Sequence, residues 1–282
     1  MPQVENPFAG RTIIMSGGSR GIGLEIARRA AADGANITLV AKTDKPHPKL
    51  PGTIHTAAEE LEKAGGSVLK VVGDVRDDEV VATAVARTVD RFGGIDVVVN
   101  NASAIDLSPT ETLSMKTYDL MQDINCRGSF LLSKLSIPAL QESARAGRNP
   151  HILTLSPPLN PDPRWVGAHL GYTIAKYGMS LVTLGLAEEL RPHGIAANSL
   201  WPRTTIATAA IRNRPGGEQR IATSRTPDIC ADAAYLVLTS PSARTSGNFF
   251  LDDEVLAAHG ITDLEKYRAL PGKEPLTSDL FL

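Results

Sequence analysis

The chain has 282 residues, a hydrophobic fraction of 42% and a formal net charge of −2. This composition is ordinary for a globular protein, and the length allows a sizeable core. The near-neutral charge gives no indication of the strongly basic surface that nucleic-acid-binding proteins carry. The two cysteines, Cys126 and Cys230, lack metal-ligand spacing, which predicts a reducing compartment with neither a disulfide framework nor a metal site.

Targeting signals are not evident in the sequence. No apolar run is long enough to span a bilayer, and residues 1–10 lack the basic-then-apolar pattern of a signal peptide. The last residues, 279–282, do not form a peroxisomal address. We therefore expect a cytoplasmic location, with neither a membrane nor a nucleic acid as partner.

Short apolar strands alternate with helices along the chain, without a linker-like break. Strands are predicted at 12–15, 36–41, 68–72, 95–99, 151–155, 195–200 and 248–251, and helices at 24–30, 53–64, 77–92, 114–143, 171–190 and 227–238. This alternation predicts an α/β fold: a single-domain Rossmann-type doubly wound parallel sheet with helices on both faces, spanning residues 1–282.

Three segments are predicted to lack regular structure. Residues 42–52 and 157–169 are proline-rich loops, and residues 205–222 are irregular with some helix. Pro138 is expected to bend or interrupt the long helix over 114–143. Residues 270–282 are expected to form a C-terminal tail that packs as an arm or contacts another subunit.

A glycine-rich turn joins the first strand to the first helix. Its residues are Gly17, Gly18, Ser19, Arg20, Gly21, Ile22 and Gly23. Glycines let the backbone turn tightly and approach a pyrophosphate, while a helix N-terminus offers free N–H groups and partial positive charge to the anion. Strand, turn and helix in this order predict a dinucleotide site.

Tyr172 and Lys176 are four positions apart in a predicted helix, so their side chains share one face. A free tyrosine has a pKa near ~10, and a neighbouring positive charge lowers that pKa by favouring the phenolate. The pair could therefore move a proton to or from an oxygen atom. Such a pair alone often has a purely structural role. The glycine-rich turn elsewhere in the chain is the second signal that favours a functional role for this pair.

Two motifs carry a family resemblance: the glycine pattern at 17, 21 and 23, and the Tyr172–Lys176 pair. Together they resemble the short-chain dehydrogenase/reductase family, whose further landmarks follow in order at Asp74-Val75, Asn100-Asn101-Ala102-Ser103, Asn125 and Ser156. Residues 41–43, 46–50, 156–160, 175–180 and 200–204 resemble, within that family, the hydroxysteroid dehydrogenase-like protein 2 branch. Some members of that branch carry a C-terminal sterol-carrier-like domain, which we expect this chain to lack.

The resemblance implies hydride transfer between a nicotinamide cofactor and a carbonyl or secondary alcohol, in a homotetramer. Tyr172 would deliver or remove the proton, and Ser156 would hydrogen-bond the carbonyl oxygen. Lys176 would lower the pKa of Tyr172 and bind the nicotinamide ribose, while Asn125 would hold a water that links Lys176 to solvent. The cofactor would be bound by Gly17, Ser19, Arg20, Gly21, Ile22, Gly23, Lys42, Asp74, Val75, Asn101, Ala102, Ser103, Tyr172, Lys176, Pro202, Ile206 and Thr208.

The end of the second strand bears on the choice between NADP and NAD. NAD enzymes usually place an acidic residue there to bond the ribose 2′-hydroxyl. Here Lys42 follows the strand and Arg20 lies in the glycine turn, and both attract a 2′-phosphate that a carboxylate would repel. We favour NADP, with NAD as the alternative if Asp44 reaches the ribose.

Three departures from the family pattern stand out. Ser156 and Tyr172 are further apart than usual and Pro157-Pro158 follow the serine, which we take as variation of the substrate loop. Pro202 is followed by Arg203 rather than glycine, which we also take as variation of that loop. The segment 206–208 is one position late, which leaves the register of Thr208 open.

Apolar and aromatic residues at 157–165, Trp201 and the segment after Arg203 predict a substrate pocket for a hydrophobic or lipid-derived carbonyl compound. Two other functions stay open at this point. The chain could be a non-catalytic NADP-binding redox sensor or scaffold, or an epimerase or dehydratase built on the same scaffold.

Overall fold

The computed structural model of the protein describes residues 6–47, 50–213 and 216–282. Residues 1–5 of the predicted domain, Pro48 and Lys49 of the predicted 42–52 loop, and residues 214–215 of the irregular segment lie outside the described residues.

Seven strands form one parallel sheet. They are β1 (Thr12–Ser16), β2 (Asn36–Ala41), β3 (Ser67–Val72), β4 (Val97–Asn100), β5 (His151–Thr154), β6 (Ala196–Trp201) and β7 (Phe249–Leu251). Their order in the sheet is β3-β2-β1-β4-β5-β6-β7. The chain runs outward from β1 to β3 and then returns to β4 on the other side of β1, and such a reversal is where doubly wound sheets bind ligands.

Helices cover both faces of this sheet. They are α1 (Gly21–Ala31), α2 (Ile54–Lys63), α3 (Asp78–Phe92), α4 (Met115–Met121), α5 (Gly128–Arg145), α6 (Pro163–Ala168), α7 (Leu170–Glu189), α8 (Ala209–Arg212), α9 (Gly217–Ala222), α10 (Asp228–Thr239) and α11 (Asp252–Ala258). The buried apolar side chains of α1, α2 and α10 pack against one face of the sheet. Those of α3, α5 and α7 pack against the other face. The predicted fold class is thus confirmed.

Alternate residues of β1 face different layers. Ile13 and Met15 pack with α1, α2 and α10, whereas Ile14 packs with α3, α5 and α7. All residues of β4 and β5 are buried, as expected of strands that helices cover on both sides. This packing fixes the strands whose carboxyl ends carry the candidate site.

The structure corrects several details of the secondary-structure prediction. α5 continues through Pro138 to Arg145. Proline has no N–H to donate to the carbonyl oxygen four residues earlier, which here belongs to Lys134. Because Lys134 is exposed, its carbonyl oxygen can bond to water instead. The predicted 157–169 loop contains α6, which Asp162 caps by accepting from the N–H of Arg164. The segment after β6 contains α8 and α9, as expected from the helix predicted within 205–222, whereas α11 was not predicted.

A π-helical turn, Gln122–Arg127, separates α4 from α5. It replaces the continuous helix predicted over 114–143. π-Turns occur mostly as single insertions at functional sites, where they re-aim a side chain. Here the turn carries Asn125, whose side chain is fully buried.

Over residues 6–47, 50–213 and 216–282, none of the helices combines the length and the apolar character that crossing a membrane requires.

Candidate active site

The glycine-rich turn forms one wall of a cleft at the carboxyl edge of the sheet. Gly17 and Gly21 have φ values of +72° and +58°, a left-handed backbone that favours glycine. A Cβ atom on Gly17 would lie 2.8 Å from the Cα atom of Ala102. Only glycine allows the turn and the segment after β4 to approach this closely.

Hydrogen bonds fasten the turn to the segment after β4. The side-chain amide of Asn101 donates to the carbonyl oxygen of Gly17 at 2.8 Å. The Ser16 hydroxyl accepts from the backbone N–H groups of Asn101 and Ala102, at 3.2 and 3.1 Å. Asn101 therefore holds the shape of the glycine turn as well as lining the cleft.

The cleft has a volume of about 450 Å³. The predicted cofactor residues that line it are Gly17, Ser19, Arg20, Gly21, Ile22, Lys42, Asp74, Val75, Asn101, Ala102, Ser103 and Thr208. The tight glycine approach and the free backbone of the α1 N-terminus fit a dinucleotide phosphate. We call this region the nucleotide half of the site.

Five predicted cofactor residues lie outside this lining: Gly23, Pro202 and Ile206, and the pair Tyr172 and Lys176 described below. Gly23 packs against the side chain of Asn101, since a Cβ atom on Gly23 would lie 2.4 Å from that amide nitrogen. Ile206 is buried in the core with Ile229 and Tyr267, while Thr208 lies opposite Gly21 in the cleft. Pro202 is buried and does not line the cleft.

Basic side chains stand at the rim of the nucleotide half. Lys42 is 64% exposed and lies 4.0 Å from the Asp74 carboxylate, which Arg76 also pairs with at 2.8 Å. Hydrogen bonds from Arg76 lower the pKa of Asp74. Arg20 donates to the carbonyl oxygen of Gly52 at 2.9 Å, and its buried Nε has no hydrogen-bond partner among the described residues.

Asp44, the acid that would favour NAD, points elsewhere. Its carboxylate lies 2.7 Å from Nε2 of His55 at the start of α2, and it does not line the cleft. Lys42 and Thr43 line the cleft at the end of β2 instead. At the end of β2 the cleft is therefore lined by Lys42 and not by Asp44.

Tyr172 and Lys176 lie one turn apart on α7 and are 4% and 3% exposed. The Lys176 ammonium donates to the carbonyl oxygen of Leu155 at 2.8 Å and lies 5.1 Å from the centre of the Trp201 ring. Burial lowers the pKa of Lys176 to about 7, and the charge of Asp279 opposes this by raising it. Helical spacing and burial bring the predicted proton-transfer pair together.

Aromatic rings surround Tyr172. Its ring lies 5.9 Å from that of His169 in an edge-on arrangement, and 6.1 Å from that of Phe281 in a stacked one. Neither Tyr172 nor Lys176 lines the open cleft. We call this buried, aromatic region the catalytic half of the site.

Ser156 and Asn125 are both fully buried near the catalytic half. The Ser156 hydroxyl lies 2.7 Å from the hydroxyl of Ser199 on β6. The Asn125 side chain bonds both backbone groups of Ala104, accepting from its N–H at 2.7 Å and donating to its carbonyl oxygen at 2.9 Å. Asn125 thus ties the π-turn to the segment after β4.

Sequence reasoning missed the contribution of the C-terminal tail. Phe281 and Asp279 reach the catalytic half from more than 100 positions beyond Tyr172, and no local motif marks them. Three glycine and proline residues before them, at 271, 272 and 275, were the only signal that the tail could fold back.

Comparison with known proteins decides the family. The sequence profile described as "short chain dehydrogenase" matches residues 11–217. The chain belongs to the short-chain dehydrogenase family. Members of this family are oxidoreductases that bind nicotinamide cofactors, which accords with the cleft and with the Tyr172–Lys176 pair.

Close relatives within the short-chain dehydrogenase family agree with the predicted branch. The chain is 53% identical over 98% of its length to "Hydroxysteroid dehydrogenase-like protein 2" of Xenopus tropicalis, and 50% identical over 98% to that of Homo sapiens. It spans 64% of the length of each of these curated relatives. A solved short chain dehydrogenase of Mycobacterium thermoresistibile is 55% identical, with a TM-score of 0.91 over 98% of this chain and 96% of that one.

Proposed function

We propose that the chain is an NADP-dependent oxidoreductase that transfers a hydride between the nicotinamide and a carbonyl or secondary alcohol. One observation carries this proposal: Tyr172 and Lys176 are buried together on one face of α7, beside a glycine-walled cleft at the carboxyl edge of the sheet. The bound nicotinamide supplies the hydride. The protein's own residues bind the cofactor, orient the substrate and move the proton.

Tyr172 is the proton donor in carbonyl reduction and the acceptor in alcohol oxidation. The Lys176 ammonium favours the phenolate and so lowers the pKa of Tyr172. Because burial has lowered the pKa of Lys176 to about 7, the charge that assists Tyr172 is itself sensitive to pH in the neutral range.

Ser156 hydrogen-bonds the substrate's carbonyl oxygen in this proposal. A hydroxyl has one donor hydrogen and two acceptor sites. Either member of the Ser156–Ser199 pair can be the donor. When Ser199 donates to Ser156, the hydrogen of Ser156 stays available for the developing oxyanion. Asn125 is proposed to hold a water that links Lys176 to solvent.

NADP is favoured over NAD because of the charges near the end of β2. Lys42 and Arg20 both line the cleft, and their positive charges attract an anion. Asp44 pairs with His55 instead of facing the cleft. Asp74 lines the cleft, but Arg76 neutralises it. A 2′-phosphate therefore meets net positive charge.

The substrate is proposed to be hydrophobic, in keeping with the aromatic walls of the catalytic half. Trp165 and Trp201 both pack in the cluster that contains Tyr172. Aromatic walls of this kind bind apolar groups and leave orientation to a few polar atoms.

A substrate screen tests the proposal directly. Purified protein would be offered apolar ketones and aldehydes with NADPH or NADH, and secondary alcohols with NADP⁺ or NAD⁺, while cofactor absorbance is followed. We expect turnover with NADPH, and a loss of about 10²- to 10⁴-fold in Tyr172→Phe, since that is the usual contribution of a general acid. Binding of NADPH without turnover of any compound would refute the proposal.

The alternative is a non-catalytic NADP-binding sensor or scaffold, and one observation favours it. Phe281 stacks on Tyr172 and fills space that a substrate would need. In that case NADPH would bind to the wild-type protein and to Tyr172→Phe alike, and neither would consume it in the screen.

A homotetramer in the cytoplasm completes the proposal. Exposed apolar side chains on α5 and α7, namely Phe130, Ile174, Leu181 and Leu184, offer a surface for subunit contacts. The free thiols of Cys126 and Cys230 accord with a reducing compartment. Light scattering of the purified protein, compared with that of Leu181→Lys, tests the assembly.

A further inference from the structure

The tail from Thr277 onward is bound along the segment after β6 and over the catalytic half. The N–H of Thr277 donates to the carbonyl oxygen of Thr223 at 2.9 Å, and the N–H of Asp279 donates to the backbone carbonyl oxygen of Arg203 at 3.0 Å. The indole N–H of Trp201 donates to the carbonyl oxygen of Leu280 at 3.0 Å. These bonds bring Phe281 to the catalytic tyrosine.

The Phe281 ring lies inside a cage of aromatic side chains. The distances from its ring centre are 5.3 Å to Tyr177, 5.5 Å to His169, 5.9 Å to Trp201, 6.1 Å to Tyr172 and 6.2 Å to Trp165. Phe281 is 1% exposed. A single apolar ring therefore fills the space beside the proposed proton donor.

The backbone shows that Phe281 is held there under strain. Its φ is +73°, a left-handed conformation that bulky residues rarely adopt. Strained residues persist where their surroundings hold them, and they concentrate at ligand clamps and switches. The preceding residues from 271 to 275 are exposed, so displacing residues 277–282 requires breaking the hydrogen bonds described above and removing Phe281 from its cluster, but leaves the sheet and its helices in place.

We infer that the aromatic cage around Phe281 is the subsite for an apolar ring of the substrate, and that the substrate must displace the 277–282 tail to reach Tyr172. The inference rests on the proposed oxidoreductase function and names its substrate class: carbonyl compounds that carry an aromatic or similarly flat apolar group. Aromatic rings that pack around one phenyl side chain fit another by the same edge-on and stacked contacts.

Hydrogen–deuterium exchange on the wild-type protein tests the displacement. The probe is benzylacetone, a methyl ketone with a phenyl ring, added with NADP⁺ so that no hydride transfer occurs. Butanone, which lacks the ring, is the matched control. We expect benzylacetone to speed exchange in residues 276–282, while butanone leaves it unchanged. Slower exchange in the tail would show that the tail is a fixed wall, and would overturn the inference.

Intrinsic fluorescence reports on binding to the cage without needing turnover. Both tryptophans of the chain, Trp165 and Trp201, contact Phe281. Benzylacetone should therefore change tryptophan emission in a saturable way. Absence of any saturable change would also overturn the inference.

Phe281→Ala removes the competing ring, and Leu270→Ala is its control because Leu270 lies in the tail segment and is 49% exposed. We expect the Kd for benzylacetone to fall by about tenfold or more in Phe281→Ala only. When Phe281 occupies the cage most of the time, the apparent Kd is the intrinsic Kd divided by the small fraction of molecules in which the cage is open. An unchanged or higher Kd in a folded Phe281→Ala protein would contradict displacement. If this variant does not fold, the exchange experiment on the wild type decides.

These measurements separate the two proposals. Faster tail exchange without turnover of any ketone by the wild type would refute the oxidoreductase function and leave the cage as a ring-binding site. Turnover of benzylacetone with a protected tail would refute displacement and leave the function standing.

Discussion

The nucleotide half and the catalytic half of the site are built in opposite ways. The nucleotide half is an open cleft walled by glycine backbone, with exposed cations at its rim. The catalytic half is buried and aromatic, and it is covered by residues from the end of the described chain. On the proposed function, the cleft for the cofactor is already formed, whereas a substrate reaches Tyr172 only after the 277–282 tail moves.

The largest effect is expected from Lys176→Met, a substitution in the catalytic half. Without the ammonium, the positive charge that favours the Tyr172 phenolate is lost, and we expect kcat/KM for a ketone to fall by about 10³-fold. Adenosine 2′,5′-bisphosphate, which occupies only the nucleotide half, should bind with unchanged Kd by calorimetry. Lys134→Met, an exposed lysine on α5, is the control. Equal losses in both measurements would show that the two halves are not separate.

Gly17→Ala should have the next largest effect, in the nucleotide half. The added Cβ atom would lie 2.8 Å from the Cα atom of Ala102. The new alanine would also have to adopt the positive φ of Gly17. We expect the Kd for NADPH, measured by fluorescence titration, to rise about 100-fold, which corresponds to ~3 kcal/mol.

The matched control for this change is Gly93→Ala. Gly93 also has a positive φ, of +81°, but a Cβ atom there meets nothing within 4 Å. It should reduce the free energy of unfolding by about 1 kcal/mol and leave the Kd for NADPH unchanged. An equal loss of affinity in both variants would mean that backbone strain, not the cleft, is responsible.

Lys42→Ala sharpens the comparison within the nucleotide half. We expect about tenfold weaker binding of NADPH and little change for NADH, because only the former carries a 2′-phosphate. Lys70→Ala, on the exposed part of β3, should change neither. Equal affinity for NADPH before and after the Lys42 substitution would remove the basis for preferring NADP.

The smallest effect is a shift in pH dependence, and it belongs to the catalytic half. The Lys176 ammonium has a pKa of about 7, so kcat/KM for ketone reduction should fall as pH rises through that region. The negative charge of Asp279 raises this pKa, so Asp279→Asn lowers it and moves the fall to lower pH. Asp263→Asn, an exposed acid near the start of the tail, should not move it. A shift to higher pH would contradict this assignment.

The nucleotide half could be predicted from sequence because its determinants are local. The glycine turn is read from spacing between a strand and a helix, and Lys42 from its position at the end of β2. The register of Thr208 could not be read, since it depends on how the segment after β6 packs, and the structure brings Thr208 rather than Ile206 to the cleft.

Only part of the catalytic half could be predicted from the sequence. Tyr172 and Lys176 follow from helical spacing, but their ring neighbours do not. Phe281 is 109 positions from Tyr172, and its burial arises from tertiary packing that no period in the sequence encodes. The Ser156–Ser199 contact likewise joins two neighbouring strands and has no trace in the local pattern around either residue.

The π-helical turn at Gln122–Arg127 also sets the angular phase of the helix that follows it. Each residue of an α-helix advances the side-chain direction by about 100°. Deleting one residue from this turn would make the region a regular helix and rotate α5 by that angle about its axis. Leu132 and Leu140, now buried against the sheet, would swing toward solvent. The extra residue that aims Asn125 at Ala104 therefore also keeps the apolar stripe of α5 on the core.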